Sequence, residues 1–255
     1  PGPPPSQTPK EIDSPMTRTL YREDPYLKTA PARVTALTPE GGVVLDATIF
    51  YPTGGGQPGD SGTLEWEGGA LRVATTVKGE ADEIVLVPAE GETARPPVGA
   101  EVAQSLDWAR RHAHMRVHTA LHLLSAVLPL PVTGGAIGEG KGRLDFDMPE
   151  APGDKAALEA ELNALVERDL PVSEDWITDA ELAANPGLVK TMSVAPPSGA
   201  GQVRLVRIGA GDAQVDLQPC GGTHVARTGE IGELRLGKIE KKGRQNRRVT
   251  VHLAD

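Results

Sequence analysis

The sequence predicts an α+β fold in which a small N-terminal β-barrel domain precedes a mixed domain of helices and strands. Glycine and proline are abundant, at 30 and 23 of 255 residues, and aromatic residues are few, which favours a turn-rich protein over a helical bundle. Short strand-like runs occupy the N-terminal part, and two amphipathic helical patterns follow. Because helices and strands do not alternate regularly, a doubly wound sheet is not expected.

The N-terminal part divides into two predicted segments. Residues 1–16 are rich in proline and polar residues, which predicts a disordered extension. Residues 17–98 contain turn clusters of glycine and proline between short apolar runs, and we predict a β-barrel domain with a glycine-rich motif here. The expected strands include 42–50, 71–77 and 83–87. The segment Pro96-Pro97 is the expected hinge to the next domain.

The second predicted domain covers residues 101–255. Its first helix is expected over 108–128, with Asp107 as the N-cap and Pro129 at its end. A second helix is expected over 154–170, where Leu158, Leu162 and Leu165 share one face. The remaining apolar patterns predict strands over 141–147, 202–208, 213–217, 231–238 and 248–253.

Composition limits the classes of function. No apolar run reaches the roughly 18–20 residues that a membrane-spanning helix requires, and no secretory signal is visible at the start. Cys220 is the single cysteine and has no internal disulfide partner, which fits a reducing cytoplasm. The net charge of −9 argues against nucleic-acid binding by the whole surface.

Basic residues nevertheless concentrate in two places. Arg110, Arg111 and Arg116 form one group, and the segment 238–248 contains six lysines and arginines opposed only by Glu240. Such runs are usually solvated charged faces. Two of them in an acidic chain favour local binding of phosphate groups.

Two histidine patterns indicate a metal site. His118 and His122 stand four residues apart in the first predicted helix, and Cys220 and His224 repeat this step far downstream. Residues i and i+4 lie on one helical face, close enough to share a metal ion. His114 lies one turn before His118, so spacing alone leaves the pairs 114/118 and 118/122 both open. A thiolate with imidazoles favours zinc, whereas the alternative for Cys220 is a small buried apolar residue.

Several motifs together resemble a known family. The chain resembles the editing domain of alanyl-tRNA synthetases and the free-standing AlaX-type alanyl-tRNA editing proteins over roughly residues 17–253. The glycine-rich segment is similar to the motif in the N-terminal barrel of the longer AlaX forms. The motifs that carry this resemblance are Phe50-Tyr-Pro-Thr-Gly-Gly-Gly-Gln-Pro-Gly-Asp60, His118-Thr-Ala-Leu-His122-Leu-Leu, Cys220-Gly-Gly-Thr-His224-Val, Thr228-Gly-Glu-Ile-Gly232 and Lys242-Gly-Arg-Gln-Asn-Arg-Arg248.

The resemblance implies a trans-acting, zinc-dependent editing domain that hydrolyses the aminoacyl ester of tRNA(Ala) mischarged with serine or glycine. It also implies that His118, His122, Cys220 and His224 bind the zinc and that His114 does not. Four protein ligands normally describe a closed structural site, whereas a catalytic zinc keeps one position open. Either one histidine binds loosely or the coordination shell expands when substrate arrives. We expect metal-assisted attack by water, because a nucleophilic Cys220 would compete with its use as a ligand.

Further residues are expected to act on the substrate. Gln57 is the expected catalytic hydrogen-bond donor, on a flexible loop formed by Gly54, Gly55 and Gly56; the alternative for this segment is a tight turn between strands. Thr133 is preferred over Thr119 for recognising the serine hydroxyl, because Thr119 is expected to point away from the histidine face. The residues expected to contact the tRNA backbone are Arg143, Lys238, Lys241, Lys242, Arg244, Asn246, Arg247 and Arg248.

Three other interpretations are weaker. The Gly-Gly-Gln triplet also occurs in translation release factors, but three residues are too few for that identification. Threonyl-tRNA synthetases carry a related editing module, so the substrate Ser-tRNA(Thr) is an alternative. A non-catalytic RNA-binding module closed by a structural zinc is the alternative from another class of protein.

Overall fold

The computed structural model describes residues 17–80, 83–192 and 201–254. The predicted disordered extension at 1–16 lies outside these residues. The α+β prediction is confirmed, since a closed six-stranded barrel is followed by helices and two further sheets. In the described parts of the chain, no helix is both long and apolar enough to cross a membrane.

The N-terminal part is built around the barrel, whose strand order is β2-β3-β7-β6-β5-β8. Its interior is filled by buried apolar side chains such as Leu45, Phe50, Leu64 and Leu86. The short strands β1 and β4 pair in parallel outside the barrel. The elements of this part are β1 (Arg18–Thr19), α1 (Leu20–Glu23), β2 (Thr29–Leu37), β3 (Val43–Leu45), β4 (Ala47–Thr48), β5 (Gly62–Trp66), β6 (Gly69–Lys78), β7 (Ile84–Pro88) and β8 (Glu101–Leu106).

The C-terminal part packs two long helices against a sheet of order β14-β16-β10-β9, and a second sheet has the order β11-β12-β13. The short strand β15 also pairs with β16. Met115, Leu123, Phe146 and Leu162 lie in the common core. The elements are α2 (Trp108–Val127), β9 (Val132–Gly138), β10 (Lys141–Asp147), α3 (Lys155–Glu167), β11 (Val172–Thr178), α4 (Asp179–Ala184), β12 (Gln202–Ile208), β13 (Asp216–Pro219), β14 (Leu234–Leu236), β15 (Glu240–Lys241) and β16 (Asn246–Leu253), with 3-10 turns at Pro186–Leu188, Gly211–Ala213 and Thr228–Ile231.

The structure shifts several predicted boundaries. The expected boundary between residues 98 and 101 falls before β8, which closes the barrel by pairing with β2 and β5. The segment before residue 141, which was expected to be a glycine-rich link, contains β9. Its glycines pair in register with β10, because the hydrogen bonds of a sheet are formed by the backbone and not by side chains. The expected strand over 231–238 shortens to β14, since a 3-10 turn occupies Thr228–Ile231.

A buried ion pair joins the first helix to the barrel. Arg111 of α2 and Asp60 of the glycine-rich segment form a salt bridge in which both side chains are at most 1% exposed. The Arg111 guanidinium also donates to the carbonyl oxygens of Ile49, at 2.7 Å, and Pro25, at 3.0 Å. Because the buried charges are paired and hydrogen-bonded, they hold the barrel and α2 in one arrangement.

Candidate metal centre

Two histidines from α2 and two ligands from the loop after β13 meet in one cluster. His118 and His122 lie on the buried face of α2, and Cys220 directly follows β13. The potential ligand atoms of His118, His122, Cys220 and His224 all lie within 4.8 Å of one another. His114 is buried on the same helix but is not part of this group.

The distances within the cluster suit a tetrahedral ion. Cys220 Sγ lies 3.4 Å from His118 Nε2 and 3.3 Å from His224 Nε2. A tetrahedral zinc with ordinary Zn–N and Zn–S bonds would separate a nitrogen from a sulfur ligand by about 3.5 Å. Three imidazoles and one thiolate are also ligands that zinc accepts. The residues therefore fit a bound metal ion.

A different acceptor orients the ring of each histidine. His118 Nδ1 donates to Gln57 Oε1 at 2.9 Å, and His122 Nδ1 donates to Asp216 Oδ2 at 2.9 Å. His224 Nδ1 donates to the hydroxyl oxygen of a threonine of α2 at 3.2 Å. With Nδ1 protonated and bonded, each ring presents Nε2 to the centre, which is the arrangement that metal-binding histidines require.

The electrostatics of the cluster favour a thiolate at Cys220 and a neutral imidazole at His224. Burial raises the pKa of Cys220, but the charges of His118 and His224 more than offset this and lower it well below its usual value. Burial, followed by the charge of His118, lowers the pKa of His224. Burial would lower the pKa of His122, but its hydrogen bonds with Asp216 and Cys220 raise it to about 9. Because metal ligands must be deprotonated, His122 would release a proton when an ion binds.

A buried carboxylate supports the other side of the cluster. Burial alone would raise the pKa of Asp216, but its hydrogen bond with His122 and the charge of Lys190 lower it to about 2. Lys190 Nζ forms an ion pair with Asp216, and Gln218 donates to the same carboxylate at 2.8 Å. The sequence did not identify Asp216 as a partner of His122. The only available signal was its position, four residues before Cys220 in a predicted strand.

Glycine is required beside the ligands. A Cβ atom at Gly222 would lie 2.2 Å from His118 Cε1 and 2.8 Å from Gln57 Oε1. The Gly222 N–H donates to Cys220 Sγ at 3.4 Å, and Arg204 donates to the carbonyl oxygens of both Cys220 and Gly222. The Cys-Gly-Gly turn is therefore held from two sides while it passes close to the His118 ring.

The glycine-rich motif of the barrel reaches the metal cluster as a tight turn. The backbones of Gly54 and Gln57 exchange two hydrogen bonds, and Gly55 and Gly56 have φ values of +57° and +83°. The Gly56 carbonyl accepts from Ile137 of β9 at 2.8 Å, which attaches the turn to the second domain. The expected flexible loop is thus a hydrogen-bonded turn whose positive φ values favour glycine.

Gln57 has a different position from the one expected for a catalytic donor. It is fully buried, and its Nε2 donates to Thr223 Oγ1 at 2.8 Å instead of facing the cavity. Its Oε1 accepts from His118 Nδ1 and from the Thr223 N–H at 3.1 Å. Gln57 therefore positions the His118 ring, and it is not among the described residues that line the cavity.

The two candidate threonines also differ from expectation. Thr119 was expected to point away from the site, yet its hydroxyl contacts His224 and accepts from the Val225 N–H, because these loop residues pack against its face of α2. Thr133 lies between Val132 and Gly134, which both line the adjacent cavity, and it donates to the Asp145 carbonyl at 3.1 Å. Thr133 itself is not among the described residues that line the cavity.

A cavity of about 360 Å³ opens directly onto the cluster. His118, His122 and Cys220 line it, whereas His224 lines a second, smaller cavity together with Tyr26 and Arg204. The glycine turn and β9, which are hydrogen-bonded to each other, both contribute to the wall, and Leu121, Ile137 and other apolar side chains line its interior. This volume lies in the range of small-ligand sites, so a ligand in the cavity has access to three of the four metal-binding residues.

The expected tRNA-contacting segment lies elsewhere. None of the described residues of 238–248 lines the cavity. Arg143 and Arg248, from adjacent strands, both bind Asp145, while Lys242 pairs with Glu240 at 3.1 Å. Part of the positive charge is therefore balanced within the protein, and the role of this segment in tRNA binding stays a prediction.

Comparison with known proteins agrees with this geometry. Residues 203–250 match the threonyl and alanyl tRNA synthetase second additional domain, and residues 27–110 match the class II (A) tRNA synthetases. The alanine–tRNA ligase of Pyrobaculum arsenaticum is 37% identical over 242 residues, which cover 91% of this chain and 26% of the ligase. The chain thus spans about a quarter of the length of the ligases it matches.

Shorter relatives match from end to end. The alanyl-tRNA editing protein AlaX-M of Methanosarcina acetivorans is 34% identical over 249 residues, which cover 94% of this chain and 100% of that protein. The AlaX-M protein of Methanosarcina mazei is also 34% identical, over 94% of this chain and 98% of its own length. Together with the barrel, the glycine turn and the His-His-Cys-His cluster, these matches show that the chain belongs to the AlaX-M family of alanyl-tRNA editing proteins.

Proposed function

We propose that this protein is a zinc-dependent aminoacyl-tRNA deacylase that hydrolyses the ester of tRNA(Ala) mischarged with serine, and also with glycine. The observation that carries the proposal is the cavity, which exposes His118, His122 and Cys220 to a ligand. A purely structural zinc needs no such access. The family relationship supplies the substrate class, since its members are named as alanyl-tRNA editing proteins.

Zinc bound by the four residues would polarise the ester carbonyl and lower the pKa of a water molecule towards about 7. The protein's own contribution is to hold the ligands. Gln57, Asp216 and Thr119 each fix one histidine ring through Nδ1. Cys220 is assigned as a ligand and not as a nucleophile, because its sulfur lies in one group with three histidines and a sulfur bound to an ion would not be free to attack the ester.

The cavity supports a site with an open coordination position. His118, His122 and Cys220 face the larger cavity, so a water molecule or substrate in it would reach three of the four candidate ligands. The apolar wall beside the ligands excludes bulk water around the ester, which strengthens electrostatic interactions there.

The experiment that tests the proposal follows amino-acid release from Ser-tRNA(Ala), Gly-tRNA(Ala), Ala-tRNA(Ala) and Ser-tRNA(Thr), with and without a chelator. We expect metal-dependent release from the first two and little from Ala-tRNA(Ala). His118→Asn should abolish release, whereas His112→Asn is the matched control because it is a partly exposed histidine of the same helix. Preference for Ser-tRNA(Thr) would reassign the substrate, and zinc and tRNA binding without release would support a non-catalytic module.

A further inference from the structure

The cavity wall contains basic side chains but no carboxylates among its described residues. Among the described residues that line it, three are lysine or arginine and none is aspartate or glutamate. The chain as a whole has 35 acidic and 26 basic residues, so the described lining of the cavity is more basic than the overall composition. The cations are Arg22, Lys78 and Lys190.

The three cations come from separate parts of the fold. Arg22 lies in α1, Lys78 is the last residue of β6, and Lys190 follows the 3-10 turn at Pro186–Leu188. Lys190 is paired with Asp216 and supports the His122 side of the cluster. Arg22 and Lys78 are exposed, and neither forms an ion pair with a carboxylate among the described residues. Two uncompensated cations therefore face the cavity from the barrel domain.

The glycine turn lies in the same part of the wall. The position where a Cβ atom of Gly55 would lie has no heavy atom within 4 Å, and Gly54 lies near the Lys78 side chain. A backbone without side chains lets a ligand approach closely. A cleft lined by one sign of charge also concentrates ions of the opposite sign, even on a protein whose net charge is negative.

We propose that Arg22 and Lys78 bind the phosphodiester that precedes the terminal nucleoside of the RNA substrate. This inference rests on the proposed function, because it assumes that the terminal aminoacyl ester reaches the His-His-Cys-His cluster. With the ester at His118 and Cys220, the ribose carries its 5′-phosphate away from the ligands and towards the cavity mouth. The barrel domain thereby holds the RNA end through a contact that is independent of base sequence.

The test compares adenosine with adenosine 5′-monophosphate, which differ only in the phosphate, by calorimetric titration of the zinc-loaded full chain. We expect the monophosphate to bind about tenfold more tightly, as two partly exposed charge-assisted contacts allow. The double variant Arg22→Gln/Lys78→Gln should lose this preference while adenosine affinity stays the same. The control Lys155→Gln/Arg168→Gln removes two exposed charges outside the cavity and should keep the preference.

Several outcomes overturn the inference. They are equal binding of the two ligands by the wild-type protein, binding of neither, and an unchanged preference in Arg22→Gln/Lys78→Gln. Unchanged adenosine affinity and an unchanged melting temperature show that the variant is folded. The deacylation assay tests the proposed function separately. If the protein prefers the monophosphate but releases no amino acid, the anion site stands and the proposed activity is refuted.

Discussion

Gly222→Ala tests whether the cluster depends on the close approach of the Cys-Gly-Gly turn. The added Cβ atom would lie 2.2 Å from His118 Cε1 and 2.5 Å from His118 Nδ1. Restoring the 3.4 Å of an ordinary contact requires the ring or the turn to move by about 1.2 Å. Metal sites hold their ligand distances to within about 0.2 Å, so a shift of this size removes His118 as an effective ligand.

We expect Gly222→Ala to weaken zinc binding by at least about 100-fold, and overpacking to lower the free energy of unfolding by about 1–3 kcal/mol. Zinc affinity is measured by competition with a chromogenic chelator, and stability by denaturant unfolding. Gly153→Ala is the matched control, since no heavy atom lies within 4 Å of its Cβ position and its φ is not in the left-handed region. Wild-type zinc affinity in Gly222→Ala would refute the reasoning.

Three further changes test other parts of the structure. Gln57→Leu should weaken zinc binding about 10–100-fold in the same competition assay, because His118 loses the acceptor for Nδ1. Arg111→Met should lower the free energy of unfolding by about 3–5 kcal/mol, because Asp60 is left buried without its partner; a loss below 1 kcal/mol in denaturant unfolding would contradict this. Thr133→Val should leave the preference for Ser-tRNA(Ala) over Ala-tRNA(Ala) unchanged, because Thr133 is not among the described residues that line the cavity and its hydroxyl donates to the Asp145 carbonyl; a fall in relative release rates towards the roughly 10–200-fold of an apolar pocket would place Thr133 in substrate recognition.

Local patterns predicted much of the secondary structure. The helix predicted over 108–128 is α2, and Asp107 caps it by accepting from the Arg110 N–H. The strands predicted over 141–147 and 202–208 have the bounds of β10 and β12. In these segments the apolar spacing and the capping residue agree with the final packing. The predicted bounds of strands were wrong where a 3-10 turn or hydrogen-bonded glycines determine them, since neither produces a periodic spacing of apolar residues.

The sequence by itself determined the chemistry of the candidate centre. Imidazoles and one thiolate at two four-residue steps specify ligands for a zinc-like ion, and several motifs in order indicate the editing family. It left His114 and His122 equivalent as partners of His118, because both pairs obey the same helical spacing. Helical periodicity is a local property and carries no information about which turn of α2 faces β13.

The tertiary structure decided which residues meet. Packing the barrel against α2 places Gln57 on His118, and β13 places Asp216 on His122. These partners are 61 and 94 residues apart in the chain, so no local pattern relates them. The same packing turns Arg22 and Lys78 towards the cavity. The residue types determined which ligands are available to an ion at the centre. Long-range contacts determined how these ligands are held and which charged side chains lie near a substrate.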